Sequence, residues 1–195
     1  TLSQTANYPW DGNITITVEQ DTDTEVTLCP RIPAWAGSAT LQVNNEEPTP
    51  VSTGYAALTR VWKARDTVQI SLPMEVQILE SHPNILGNRG RVAIRRGALV
   101  YCVEATDNAG VDTWEIALTP STHLKPTFEP NLLNGVVVLR GEGVVLNSSG
   151  WENTLYRPYS PKSNGTPYTL TAIPHYVWAN REAGAMQVWL PMVEE

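Results

Sequence analysis

At 195 residues, with 42% apolar side chains and a formal charge of -7, the chain can bury one large β core or two small ones, and is too acidic for sequence-independent phosphate binding. Fifteen prolines and thirteen glycines, with no long run of helical period, predict an all-β chain of short strands and tight turns. No apolar run approaches a membrane span and residues 1–12 lack the pattern of a signal peptide, so neither nucleic acid nor a membrane is expected as a partner. Thr1 stands where an initiator methionine would, which leads us to expect a piece of a longer polypeptide whose compartment is not legible.

In chain order, Tyr8-Pro9-Trp10-Asp11-Gly12 reads as a turn with aromatic flanks, and residues 13–18 (NITITV) alternate into a strand. A polar loop leads to residues 25–33, where Pro30 and Pro33 place the strand at an edge or near its end. Leu41 and Val43 continue the meander, residues 44–48 turn it, and residues 55–62 and 67–72 form the next pair. One more alternating segment, residues 73–80, precedes a loop at 81–89.

Residues 90–104 (GRVAIRRGALVYCVE) then divide the chain. Val92 and Ile94 alternate with polar or small neighbours, while residues 98–103 are apolar enough to be buried on both faces. Arg96-Gly97 is expected to bend this strand from one sandwich into another, since glycine reaches backbone angles closed to other residues. Beyond it come a loop (106–112), a short strand (114–118), a long proline-bearing connection (119–131), and a strand at 134–139 with Gly141 and Gly143 loosening the turn towards 144–146. Residues 147–165 read as loop, with Trp151, Tyr156 and Tyr159 among Ser, Asn, Pro and Gly, and strands at 168–173 and 185–190 close the chain.

Seven tryptophans against one phenylalanine stand out, because an exposed indole is a platform for the C–H face of a sugar. Trp62, Trp114 and Trp189 sit in alternating strands and are expected in cores. Trp10, Trp35, Trp151 and Trp178 lie in or beside loops and are the candidates for carbohydrate contact or for packing against another domain. Glycoside hydrolysis commonly needs two facing carboxylates. Asp21, Asp23, Glu46 and Glu47 lie in polar loops, and Glu104, after an apolar strand, is a single acid. The run Asp21-Thr22-Asp23-Thr24-Glu25 lacks the glycine and terminal glutamate of a calcium loop. His82, His123 and His175 each stand alone, and Cys29 and Cys102, inside apolar strands without metal or redox spacing, read as buried free thiols. Glycosylation sequons begin at Asn13, Asn147 and Asn164.

Six blocks, in order over nearly the whole chain, carry a family resemblance. They are Tyr8-Pro9-Trp10-Asp11-Gly12, Arg31-Ile32-Pro33-Ala34-Trp35, Arg60-Val61-Trp62, Leu72-Pro73-Met74, Arg96-Gly97-Ala98-Leu99-Val100-Tyr101-Cys102 and Tyr176-Val177-Trp178-Ala179-Asn180-Arg181. Together they resemble the C-terminal region of glycoside hydrolase family 127, the β-L-arabinofuranosidase family, with departures at Ala34, Ala98 and Cys29-Pro30. The resemblance implies two jelly-roll-like antiparallel β-sandwiches, the second inserted into the first: residues 1–86 with 174–195, and residues 87–173. It also implies an N-terminal (α/α)6 barrel in which a zinc ion, bound by cysteines and a glutamate, activates a cysteine nucleophile. The paired cysteines of that site lie upstream of the matched region, so no catalytic residue, metal ligand or cofactor is expected in this chain, and zinc is expected in the barrel. The chain is then an accessory region without activity alone, its partners the barrel and a second copy. The rival reading is a carbohydrate-binding module whose loop aromatics contact plant-type arabinose-containing glycans.

Overall fold

A computed structural model describes residues 1–146, 148, 151, 153–158 and 165–194. Among these, every named strand ladder is antiparallel, as an all-β chain of short strands and turns requires. No described helix is long and apolar enough to cross a membrane. The chain divides into two compact units, Thr1–Glu75 and Val76–Glu195.

The first unit holds β1 (Leu2–Ala6), β2 (Asn13–Val18), β3 (Val26–Leu28), β4 (Arg31–Ile32), β5 (Thr40–Val43), β6 (Thr49–Pro50), β7 (Gly54–Tyr55), β8 (Leu58–Arg60) and β9 (Thr67–Ser71). One sheet runs β1-β2-β9-β5-β6, and β3 pairs β8 while β4 pairs β7 in short ladders. The register aligns Ile14 with Ile70 and Leu41, and Ile16 with Val68 and Val43, so one face of the sheet is aliphatic. That face packs into a core with Ile32, Ala36 and Trp62, against which Leu28 and Leu58 of the short ladders also pack. Trp62 is 1% exposed. Its indole Nε1 donates to the Val26 carbonyl at 2.9 Å, which satisfies the one polar atom of a buried indole and ties β3 to the core. Pro30 interrupts β3 and β4, as a residue without an N–H must. The strand β1 lacks an apolar alternation and is exposed along its length, which is why the sequence pattern passes over it.

The second unit holds β10 (Val76–Glu80), β11 (Arg91–Arg96), β12 (Leu99–Glu104), β13 (Ile116–Ala117), β14 (Leu124–Glu129), β15 (Val136–Val145), β16 (Thr166–Pro174), β17 (Met186–Gln187) and β18 (Trp189–Pro191). They form one sheet with path β10-β11-β12-β16-β15-β13, to which β14 adds on β15, β17 on β12 and β18 on β11. The sheet curls back on itself: Leu118 N donates to Pro191 O and Val193 N to Leu118 O, each at 2.9 Å. Val92, Ile94, Tyr101, Val103, Leu139, Leu170 and Leu190 fill the space enclosed.

Several expectations need correction. Arg96-Gly97 is no passage between sandwiches, for Ile94 pairs Tyr101 and Arg96 pairs Leu99, leaving Gly97-Ala98 as a two-residue hairpin turn. Gly97 sits at φ 55°, the left-handed angle that such turns demand. The nested arrangement is also not found: β17 and β18 pair β12 and β11, and Leu190 lies in the second core, so the two units follow one another with the division at Glu75/Val76. The connection foreseen at 119–131 contains β14, whose mostly exposed side chains and Pro126 hide it from a periodicity argument and suit an edge strand. Gly141 and Gly143 do not loosen a turn but lie inside β15, where a Cβ on Gly141 would meet His123 O at 2.1 Å. Residues 147, 149, 150, 152 and 159–164 of the loop foreseen at 147–165, with the sequon residues Asn147 and Asn164 and the ring of Tyr159, lie outside the described residues.

Candidate functional site

Charge gathers where β12 ends. Burial on both faces carries β12 through Cys102 to Glu104, whose side chain is 1% exposed. A buried carboxylate must be paired or neutralised. The next residues form a 3-10 turn, Ala105–Asp107, which brings Asp107 beside it. After β16 a second turn, His175–Val177, sends the chain over this end of the sheet, and Arg181 follows. Arg181 Nη1 donates to Asp107 Oδ1 at 2.7 Å, and Nη2 donates to Asp107 Oδ2 at 2.5 Å and Glu104 Oε2 at 2.6 Å. The guanidinium fork matches carboxylate geometry, and these bonds, Asp107 first, raise the Arg181 pKa against the cost of its burial. Glu104 Oε1 takes the Ala179 N–H at 3.3 Å, so both of its oxygens are engaged.

Asn108 completes the cluster. Its amide donates to the carbonyls of Glu104 at 2.9 Å and Thr171 at 2.8 Å, and accepts from Thr171 N at 3.0 Å. The β12–β16 ladder stops at Val103 and Ala172, and this side chain continues it by one more exchange of bonds. Two residues before Glu104, the Cys102 thiol is pushed up to about 12, by burial first and then by the Glu104 and Asp107 carboxylates. It is therefore a thiol, not a thiolate, at neutral pH. With both carboxylates bound to one guanidinium, the arrangement clamps residues 179–181 onto the sheet and offers neither a facing acid pair nor a nucleophile.

The zinc site implied by the family resemblance does not fit these residues. Cys29 and Cys102 belong to different units, and Glu104 is committed to Arg181. Among the described residues no three His, Cys, Asp or Glu side chains are grouped to hold a metal.

The candidate aromatics are divided between the two units. Trp10 and Trp35 are half-buried in the first unit, where Trp35 packs on the core and stacks on Tyr8 with ring centroids 6.4 Å apart. Trp151 and Trp178 are in the second unit. Arg157 lies 4.1 Å over the Trp151 ring, and Trp178, 40% exposed, stacks on His175 at 6.1 Å. Trp114 is not in the core: it rides on the 3-10 turn Thr113–Glu115, 58% exposed, with the Arg91 guanidinium 6.0 Å from its ring. Cys29 likewise is exposed, one residue past the end of the largely exposed β3. Asp21, Asp23, Glu46 and Glu47 lie at the surface.

Each unit also carries a cleft. In the second, about 420 Å³ opens between the end of β10, the loop before β11 and residues 192–194, with His82, Arg89 and Glu80 on its wall. In the first, a depression of about 240 Å³ lies on the solvent face of the sheet. None of Glu104, Asp107 and Arg181 lines either. The sequence marks Glu104 and Arg181 singly, one as an acid ending an apolar run and one in a motif; that they meet is a property of the 3-10 turns alone.

Both units match known protein families. Residues 1–74 match the β-L-arabinofuranosidase family 127 middle domain, and residues 76–191 match the glycoside hydrolase family 127 C-terminal domain. The chain is 35% identical to a non-reducing end β-L-arabinofuranosidase of Bifidobacterium longum subsp. longum, over 97% of this chain and 30% of that protein. A solved family 127 β-L-arabinofuranosidase from Geobacillus stearothermophilus T6 superposes with a TM-score of 0.88 at 38% identity, over 98% of this chain and 30% of that one. Another solved family 127 β-arabinofuranosidase superposes with a TM-score of 0.79 at 29% identity, over 98% of this chain and 31% of that one. The chain thus spans about a third of the length of these relatives.

Proposed function

The chain belongs to glycoside hydrolase family 127, and from that membership we propose that it is the accessory β-sandwich region of a β-L-arabinofuranosidase-type enzyme, non-catalytic by itself, whose work is to support a catalytic barrel in the same polypeptide. The observation that carries this reading is the continuous match of both units to the middle and C-terminal domains, over some 30% of the length of relatives named for that activity. The chemistry of the chain supports it: Glu104 and Asp107 are both spent on Arg181 and the buried Cys102 thiol is held protonated. Zinc, with the cysteines that ligate it, belongs on this reading to the barrel.

Exposed Trp178 and Tyr176, held above the sheet by the Arg181 clamp, are suited to pack against a neighbouring domain. A chimera tests the proposal. When this chain replaces the corresponding region of the Geobacillus stearothermophilus enzyme, a soluble protein that releases arabinose is expected. An Arg181→Met chimera, its 179–181 segment unclamped, is expected to lose thermal stability and activity together. A chimera that folds to the stability of the parent and yet has no activity would count against a supporting role.

A further inference from the structure

The solvent face of the first sheet carries no charged side chain in three rows of its register. Alternation puts the aliphatic residues of β2, β9 and β5 inward, so their neighbours in sequence point outward. The register sets these out in rows: Asn13, Ser71 and Thr40; Thr5, Thr15, Gln69 and Gln42; Ser3, Thr17 and Thr67. All are uncharged hydroxyl or amide side chains, in a chain with thirteen basic and twenty acidic residues. Interspersed charge is what ordinarily keeps an exposed surface soluble and free of wrong partners, and these rows carry none.

The first two rows, Thr5 excepted, also line the 240 Å³ depression, with Pro48 beside them. The side chains of Asn13, Thr15, Thr40, Gln69 and Ser71 make no hydrogen bond to another described residue, and Gln42 spends only its Nε2, on the Glu46 carbonyl at 2.8 Å. Apart from the Gln42 Nε2, the hollow therefore presents unspent carbonyl acceptors, amide donors and hydroxyls of both kinds at strand spacing. An anion or a cation would find no counter-charge there. A ligand rich in hydroxyls and without charge finds both donors and acceptors there, with paired strands beneath to hold them.

The geometry points to a binding site for a neutral oligosaccharide on this face, with Gln69 and Gln42 as its central amides and Asn13, Thr15 and Ser71 around them. The site uses none of the loop aromatics and is independent of the supporting role proposed above.

The test is a titration of the isotope-labelled full chain with neutral arabino-, xylo- and cello-oligosaccharides, followed by amide chemical shifts. At least one of the three is expected to give saturable shifts confined to residues 13–17, 40–43 and 67–71. Gln69→Ala should weaken that binding about 3- to 10-fold, the loss of one or two hydrogen bonds, while Trp178→Ala leaves it unchanged. Gln69 is exposed on a strand, and the substituted chain is expected to keep its fold and its remaining spectrum. Absence of shifts with all three sugars at millimolar concentration overturns the proposal, as do shifts that map to Trp151 and Trp178 instead. Concentration-dependent shifts on this face without sugar would make it a contact between copies, and also overturn it.

Discussion

Glu104 and Arg181, 77 residues apart in sequence, meet at 2.6 Å where the glutamate side chain is almost wholly removed from solvent. Breaking such a pair from one side leaves an uncompensated buried charge, at a typical cost of about 3–5 kcal/mol. Arg181→Met should therefore lower the stability of the second unit by about that amount in urea unfolding followed by circular dichroism. Adding Glu104→Gln should recover part of the loss, since the orphaned charge is then gone. A loss from Arg181→Met below about 1 kcal/mol, within the range of exposed pairs, would show that the clamp is not formed.

The two tryptophans that a periodicity argument treats alike should behave oppositely. Trp62→Ala removes a fully buried indole and its bond to Val26, and is expected to cost about 3–5 kcal/mol. Trp114→Ala removes an exposed ring over which the Arg91 guanidinium lies, and about 0.5–1 kcal/mol is expected. Unfolding midpoints of the two variants check this, and equal losses would contradict the placement of Trp114.

Thiol labelling separates the cysteines. Cys29 is exposed and should react with iodoacetamide in the native chain. Cys102, buried and pushed up to about 12, should react only after unfolding. Mass spectrometry of the labelled peptides reads the outcome.

Asp66 predicts a pH dependence in the first unit. Its carboxylate accepts from Lys63 N at 2.8 Å and Asn44 Nδ2 at 2.9 Å, and these bonds, the backbone one first, hold its pKa below the ordinary carboxylate value. A group depressed in the folded state stabilises above its unfolded pKa of about 3.9, and that contribution is lost as pH falls through the folded value. The stability gap between the native chain and Asp66→Asn should be full near neutrality and shrink below about pH 4. A gap that stays constant down to pH 2 would be the wrong sign of evidence for a charged acceptor.

Much of the architecture is legible in the residues themselves. The strands β2, β9, β11, β12 and β16 follow from alternation or from continuous apolar runs, because burial of one or both faces leaves those two signatures. What is lost is what burial does not write. The exposed strands β1 and β14 have no apolar period, and Gly141 is inside a strand because His123 O approaches it, a cause that lies outside its own segment. The hairpin at Gly97-Ala98 and the return of β18 to β11 are matters of pairing, and one sequence shows strands more readily than their partners. The same holds for function: Glu104 was visible as an acid after an apolar strand, but Arg181 as its partner needed the fold. Trp35, Trp151 and Trp178 each lie beside a neighbour of their own, which composition alone could not tell.

Hydrolysis by the chain itself is the most direct measurement of whether it is catalytic. Purified residues 1–195, with zinc added, should release no arabinose from a chromogenic β-L-arabinofuranoside under conditions where the Geobacillus stearothermophilus enzyme turns over. Zinc-dependent release by this chain alone, surviving repeated purification, would contradict it.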